Sequence, residues 1–197
     1  MLVLASASPR RQELLRNAGI SFVVQPAHIL EEPLASESGN HCAERLARAK
    51  ARLVSSVRTS DPVLGADTVV VIEGQILGKP CDSADAARML RLLSGKTHQV
   101  ITGVCLIVPT GSQNQEATAE EVCSETTLVT MSAITGAEIQ AYIATGEPMD
   151  KAGAYAIQGW ASRWIPRIEG DYSNVVGLPV ALVWRMLQKH GSVRDQP

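Results

Sequence analysis

The chain has 197 residues, 45% of them hydrophobic and 19% charged, with a net charge of −2. That is the make-up of a folded globular protein of one domain, or of two small lobes sharing a core. It excludes a disordered chain and one built to coat nucleic acid or an anionic membrane, and no apolar run approaches the ~18 residues of a membrane span.

Strands alternating with helices predict an α/β fold. The opening "MLVLASASPRR" has no basic segment before a short apolar run, so Leu2–Ser6 reads as a first strand and not as a signal peptide. Ser8 and Pro9 open a helix to about Ala18, which Gly19 stops. A second strand spans Ser21–Pro26, and the loop after it carries Glu31 and Glu32. From Ser38 to Val57 the pattern is helical, with Cys42, Leu46, Ala49, Leu53 and Val57 on one face. A β-branched strand lies within Pro62–Gly74 and turns at Glu73–Gly74 into "QILGKP", a hairpin. Ser83 caps a helix to Leu93, and Gly95 closes it. Strands at His98–Val108 and Val122–Met131 flank the polar stretch Pro109–Glu121, read as an exposed hairpin connection. Thr135 with Glu138 is a capping box for a helix to about Thr145. Gly146–Ser162 is a glycine-rich loop, Arg163–Ile168 a strand, and Pro179 opens a last helix with Val180, Val183, Trp184 and Leu187 on one face. The tail after His190 is polar and is expected to fray.

Arg10 and Arg11 fall in the first turn of a helix, where cations oppose the dipole by ~0.3–1 kcal/mol. A bound phosphate would explain them, since a helix start offers free N–H groups and the arginine fork suits phosphate oxygens; two solvated arginines are the alternative. Asp67 interrupts the apolar run "VLGADTVVVI", where a lone carboxylate is costly unless it is paired or bound to metal; the alternative is an aspartate at a bend that Gly65 permits. Lys79 sits in the restricted "GKP" turn and Lys50 beside the apolar stripe of the long helix, where a lysine can simply snorkel. Glu31 or Glu32 with Asp67 would make an oxygen site for Mg²⁺ or Mn²⁺. The "DKAGAYAIQG" segment lets a flat ligand approach its backbone, and the Gln158 amide suits a base edge. The four cysteines are scattered without a CxxC and the four histidines without an HExxH; a reduced, cytoplasmic setting follows, and neither a disulfide framework nor a zinc site. Cations, acids and an amide without a histidine or cysteine nucleophile suit a metal-bridged phosphate ester, though no P-loop and no GxGxxG is present.

The order "LASASPRRQELL", "LGADTVVV", "GKP", "MLRLLSGKTHQVITGV", "EPMDKAGAYAIQG" and "GDYSNVVGLPV" resembles the Maf family of nucleoside triphosphate pyrophosphatases, from Leu2 to about Leu187. "SPRR", "GADT" and "AYAIQG" look like its dTTP and UTP branch. The resemblance implies an elongated mixed β-sheet with flanking helices around a central cleft, as in the inosine triphosphate pyrophosphatases, with residues 1–197 as one domain of two lobes. It also implies a homodimer, a divalent metal and hydrolysis to monophosphate and pyrophosphate. Asp67 matches the family's catalytic base; Arg11, Thr68 and Gln158 match positions tied to base choice; and Ser6, Arg10, Glu31, Lys50 and Lys79 match the remaining cleft residues. On that basis Asp67 and Glu31 hold the metal, unless Asp67 takes the water's proton directly. Arg10 would grip the triphosphate and Arg11 stand where phosphate and base meet. Ala156 departs from the family's glycine and would crowd the base pocket, and the Pro109–Glu121 stretch is longer than expected. A nucleotide-binding regulator of cell division with little turnover is the alternative; stable nucleic-acid binding is not expected.

Overall fold

The computed structural model describes residues 1–110 and 118–192. The strands are β1 (Leu2–Leu4), β2 (Phe22–Val24), β3 (Val63–Ile72), β4 (Gln75–Leu77), β5 (Thr97–Pro109), β6 (Thr118–Thr130) and β7 (Arg167–Glu169). The helices are α1 (Pro9–Asn17), α2 (Gly39–Ser55), α3 (Ser83–Leu93), α4 (Gly136–Ala144), α5 (Tyr172–Val176) and α6 (Val180–Lys189). One seven-stranded sheet runs β2-β1-β3-β5-β6-β7, with β4 paired to β3. β1 is parallel to β2 and to β3, and the remaining pairings are antiparallel. The sheet is therefore mixed, as expected. The middle of the expected connection between β5 and β6 (111–117) and the end of the tail (193–197) lie outside the described residues.

The strand period of two sorts β3 onto two faces. Val63, Gly65, Asp67 and Val69 turn toward α2, while Leu64 and Ala66 pack under α1 and α6 with Leu15, Val183 and Leu187. Val70 joins a third cluster with α3 and α4. Asp67 and Thr68, neighbours in sequence, thus serve opposite faces of the sheet.

Gly65 does not bend β3, which runs unbroken through it. A Cβ there would stand 2.2 Å from the Ala47 carbonyl oxygen, and one at Gly103 on β5 would stand 2.3 Å from the Ala43 carbonyl carbon. The two glycines let α2 rest directly on the backbone of the sheet. The helix answers with small residues, so its buried face is Cys42, Ala43, Leu46, Ala47, Lys50, Ala51 and Val54. The expected face is rotated by this, and Leu53 and Val57 point outward. The large apolar residues drew the stripe in the wrong place because the contact surface is made of alanines.

Other boundaries shift for local reasons. Asp82, not Ser83, caps α3, its carboxylate accepting from the Asp85 N–H at 2.7 Å. Arg163–Ile168 is not one strand: Trp160–Trp164 forms a 3₁₀ turn, and β7 begins at Arg167. On α6 the buried positions are Val183, Met186 and Leu187, with Val180 and Trp184 half-buried. The short α5 has no counterpart in the sequence reading; Asp171 caps it. The Thr135–Glu138 capping box and the Glu73–Gly74 turn, both residues at positive φ, form as expected.

Candidate active site

A cleft of about 850 Å³ opens beyond the carboxyl end of β1, the usual place for a ligand in an open α/β sheet. All nine candidate residues line it: Ser6, Arg10, Arg11, Glu31, Lys50, Asp67, Thr68, Lys79 and Gln158. They arrive from six separate stretches of chain.

Its floor is a chain of alternating charges. The Lys50 ammonium, carried inward by the close seat of α2, lies 2.6 Å from Asp67 Oδ1 and 2.5 Å from Glu31 Oε1. Lys79 reaches the other Glu31 oxygen at 2.6 Å. Lys50 is 5% exposed and Asp67 6%, so the pair is fully buried. Burial alone would raise the Glu31 carboxyl, but hydrogen bonds from Lys50 and Lys79 outweigh it and hold the pKa down at about 2. Glu31, not Glu32, is the acid that faces Asp67; Glu32 lends its backbone carbonyl to Arg45.

Arg10 and Arg11 are not equivalent. Ser8 caps α1 by accepting from the Arg11 N–H, and the first turn holds no acid, so the positive end of the helix dipole faces the cleft uncompensated. Arg10 is at the mouth, 3.3 Å from Asp150 on the facing loop. Arg11 is buried. Its Nε donates to the Gly177 carbonyl, Nη1 to Ser6 Oγ and the Ala66 carbonyl, and Nη2 to Thr68 Oγ1, at 2.7–3.1 Å. Four of its five N–H groups are spent on the protein. Burial lowers its pKa against the nearby charges of Asp67 and Glu31. Arg11 therefore clamps β1, β3 and the end of α5 together and sets the Thr68 hydroxyl, which also meets Thr102 Oγ1 at 2.9 Å.

The facing wall is the 150–158 segment, pinned from below. The Gly153 N–H donates to the Gly78 carbonyl at 3.0 Å, tying this wall to the Lys79 turn. A Cβ on Gly153 would meet the Val70 side chain at 2.9 Å. The Tyr155 hydroxyl meets His98 Nε2 at 2.7 Å. Burial pushes the Tyr155 pKa up and the His98 pKa down to about 4. Gln158 is exposed at the end of this wall. Ala156 lies outside the positive-φ region, so its methyl carries no backbone strain. The sequence reading missed His98 and Tyr155 as partners, since nothing local joins residues 57 apart.

The two carboxylates converge on one cation position, filled here by the Lys50 ammonium. Among the described residues no group of three or more His, Cys, Asp or Glu is placed to hold a metal. Two hard oxygen donors, with phosphate oxygens and water completing the shell, nevertheless fit the way Mg²⁺ sits at nucleotide sites.

Residues 1–190 match the family described as Maf-like protein. The chain is 56% identical to the dTTP/UTP pyrophosphatase of Koribacter versatilis over 190 residues, 96% of this chain and 94% of that one. It is 50% identical to the dTTP/UTP pyrophosphatase of Symbiobacterium thermophilum, with the same coverage. Among solved structures, the Staphylococcus aureus Ham1 protein superposes with a TM-score of 0.50 at 13% identity, covering 96% of this chain and 98% of that one. That likeness speaks to the fold alone, and it agrees with the architecture expected above.

Proposed function

The chain belongs to the Maf family, and from that premise we propose that it hydrolyses dTTP and UTP to the nucleoside monophosphate and pyrophosphate, as the names of its relatives state for them. The observation that carries the reading is the Asp67–Lys50–Glu31–Lys79 chain, buried at its Asp67–Lys50 end, at the floor of a cleft rimmed by Arg10 and a helix N-terminus.

In the reaction, water attacks the α-phosphorus and pyrophosphate leaves. Asp67 accepts the proton of the attacking water, its carboxylate oriented by the Lys50 ammonium at 2.6 Å. Lys79 and Arg10 now pair with Glu31 and Asp150; polyphosphate oxygens replace those partners, while Lys50 keeps Asp67 and adds its charge from the floor, so the cations that meet the leaving-group charge stand at the cleft before the substrate arrives. Asp67 and Glu31 would hold Mg²⁺ or Mn²⁺, which when bound neutralises phosphate charge and acidifies water. Thr68 and Gln158 face the base, Thr68 held through Arg11 and Ser6. The reading includes a homodimer and a cytoplasmic setting, drawn from the resemblance and the cysteine pattern, and no stable nucleic-acid complex, drawn from the net charge.

Asp67→Asn tests the assignment. The amide keeps the shape but cannot take the proton, so kcat should fall about 10²–10⁴-fold while a non-hydrolysable dTTP analogue still binds. Full turnover in that variant rules Asp67 out as the base.

A further inference from the structure

Gln158 sits at a corner of a tight turn, Ala156–Gly159, closed by the Gly159 N–H donating to the Ala156 carbonyl at 3.1 Å. The residues flanking it on both sides are bonded to one pair of side chains. The Ala156 N–H donates to the Tyr142 hydroxyl oxygen at 3.1 Å. The Trp160 N–H donates to Glu147 Oε1, also at 3.1 Å. The Tyr142 hydroxyl in turn donates to the same Glu147 oxygen at 2.7 Å. Tyr142 comes from the buried face of α4 and is wholly inaccessible; Glu147 begins the 3₁₀ turn after it. The Glu147 carboxylate has no salt-bridge partner among the described residues, so it serves neutral donors alone. A Cβ on Gly159 would stand 2.2 Å from Glu147 Oε1. A larger residue there would push the Glu147 carboxylate off the Trp160 N–H.

From this geometry we infer that Tyr142 and Glu147 are positioning residues for base selection: a staple that fixes the Gln158 turn at both ends. The inference rests on the nucleotide reading of the cleft and deepens it. A glutamine amide carries both a donor and an acceptor. It pairs with the O4 and N3–H of uracil or thymine, and after a half-rotation it pairs as well with the N4–H₂ and N3 of cytosine. Such a group selects one base only if its place relative to the ring is set from outside. The rotation of the amide is its own, but how far and at what angle it stands from the ring is set by the backbone that carries it, and a buried tyrosine with a shared carboxylate holds both flanks of that backbone without touching the ligand.

The test compares the wild type with Tyr142→Phe, Glu147→Gln, Glu147→Ala, Gln158→Ala and the Tyr142→Phe/Gln158→Ala double variant. Each is assayed for kcat and KM with dTTP, UTP and CTP, for binding of a non-hydrolysable dTTP analogue, and for Tm. Tyr142→Phe removes two bonds and should lower kcat/KM for dTTP and UTP roughly tenfold, mainly through KM, and narrow their advantage over CTP. Glu147→Gln keeps an acceptor oxygen and should retain most of the discrimination, whereas Glu147→Ala removes the acceptor of both the Tyr142 hydroxyl and the Trp160 N–H and should lose it, which covers the case where Tyr142→Phe folds poorly. The decisive readout is the cycle: on a Gln158→Ala background, Tyr142→Phe should change discrimination no further. Additive effects, or equal losses on all three nucleotides, would overturn the staple. A wild type that releases no pyrophosphate from any of them would instead overturn the parent reading.

Discussion

At the scale of single residues, the two lysines of the site differ in kind. Lys50 is buried between two carboxylates, whereas Lys79 is mostly exposed and meets one. Removing one partner of a buried pair leaves an uncompensated charge, so Lys50→Met should cost about 3–5 kcal/mol by denaturant unfolding. Lys79→Met should cost no more than about 1 kcal/mol and still impair turnover. Equal stability losses would show that the Lys50 pair is not the buried one. Asp67 announced itself in the sequence because burial of its neighbours was legible from β-branched composition. Lys50 did not, because a lysine beside an apolar stripe looks the same whether it snorkels out or points in. The resemblance already separates Arg10 from Arg11, but the contacts that make them differ are not legible locally. The acceptors that consume Arg11 are the carbonyls of Ala66 and Gly177 and the hydroxyls of Ser6 and Thr68, three of them more than 50 residues away.

At the scale of elements, the seat of α2 on β3 and β5 decides the geometry of the floor. Gly65→Ala forces a methyl into the Ala47 carbonyl. The helix must lift, and Lys50 moves away from Asp67. A loss of about 1–3 kcal/mol is expected, together with a fall in kcat larger than the change in KM; a variant with normal stability and kcat would show that the contact is not tight. Features built from near neighbours were readable in advance, among them the Ser8 cap with Pro9, the Thr135–Glu138 capping box and the Glu73–Gly74 hairpin. Features set by distant contacts were not. Arg163 and Trp164 read as the start of a strand, but they close the 3₁₀ turn Trp160–Trp164, where the Trp164 carbonyl is taken by the Ser132 N–H at 2.7 Å and the Trp160 N–H by Glu147. The role of Gly65 likewise belongs to the helix above it and not to its own strand.

At the scale of the whole molecule, β3 turns Asp67 to one face of the sheet and Thr68, the partner of Arg11, to the other, and both line the cleft. The wall opposite α1 hangs on the buried His98–Tyr155 contact, and this couples fold to pH. The folded pKa of His98 lies below its ordinary 6.5, near 4. The stabilising contribution of neutral His98 is therefore complete above about pH 6.5 and is lost as the pH falls through 4, on the order of 3 kcal/mol across that window. His98→Gln should flatten the decline in Tm between pH 6.5 and 4; an unchanged slope would mean that another group titrates there. The central claim is tested most directly by offering the purified protein dTTP, UTP, CTP and 7-methyl-GTP with Mg²⁺ or Mn²⁺ and identifying the products. Pyrophosphate and the monophosphate should appear from dTTP and UTP well ahead of the other two. Orthophosphate in place of pyrophosphate, or no release from either dTTP or UTP, would contradict the account.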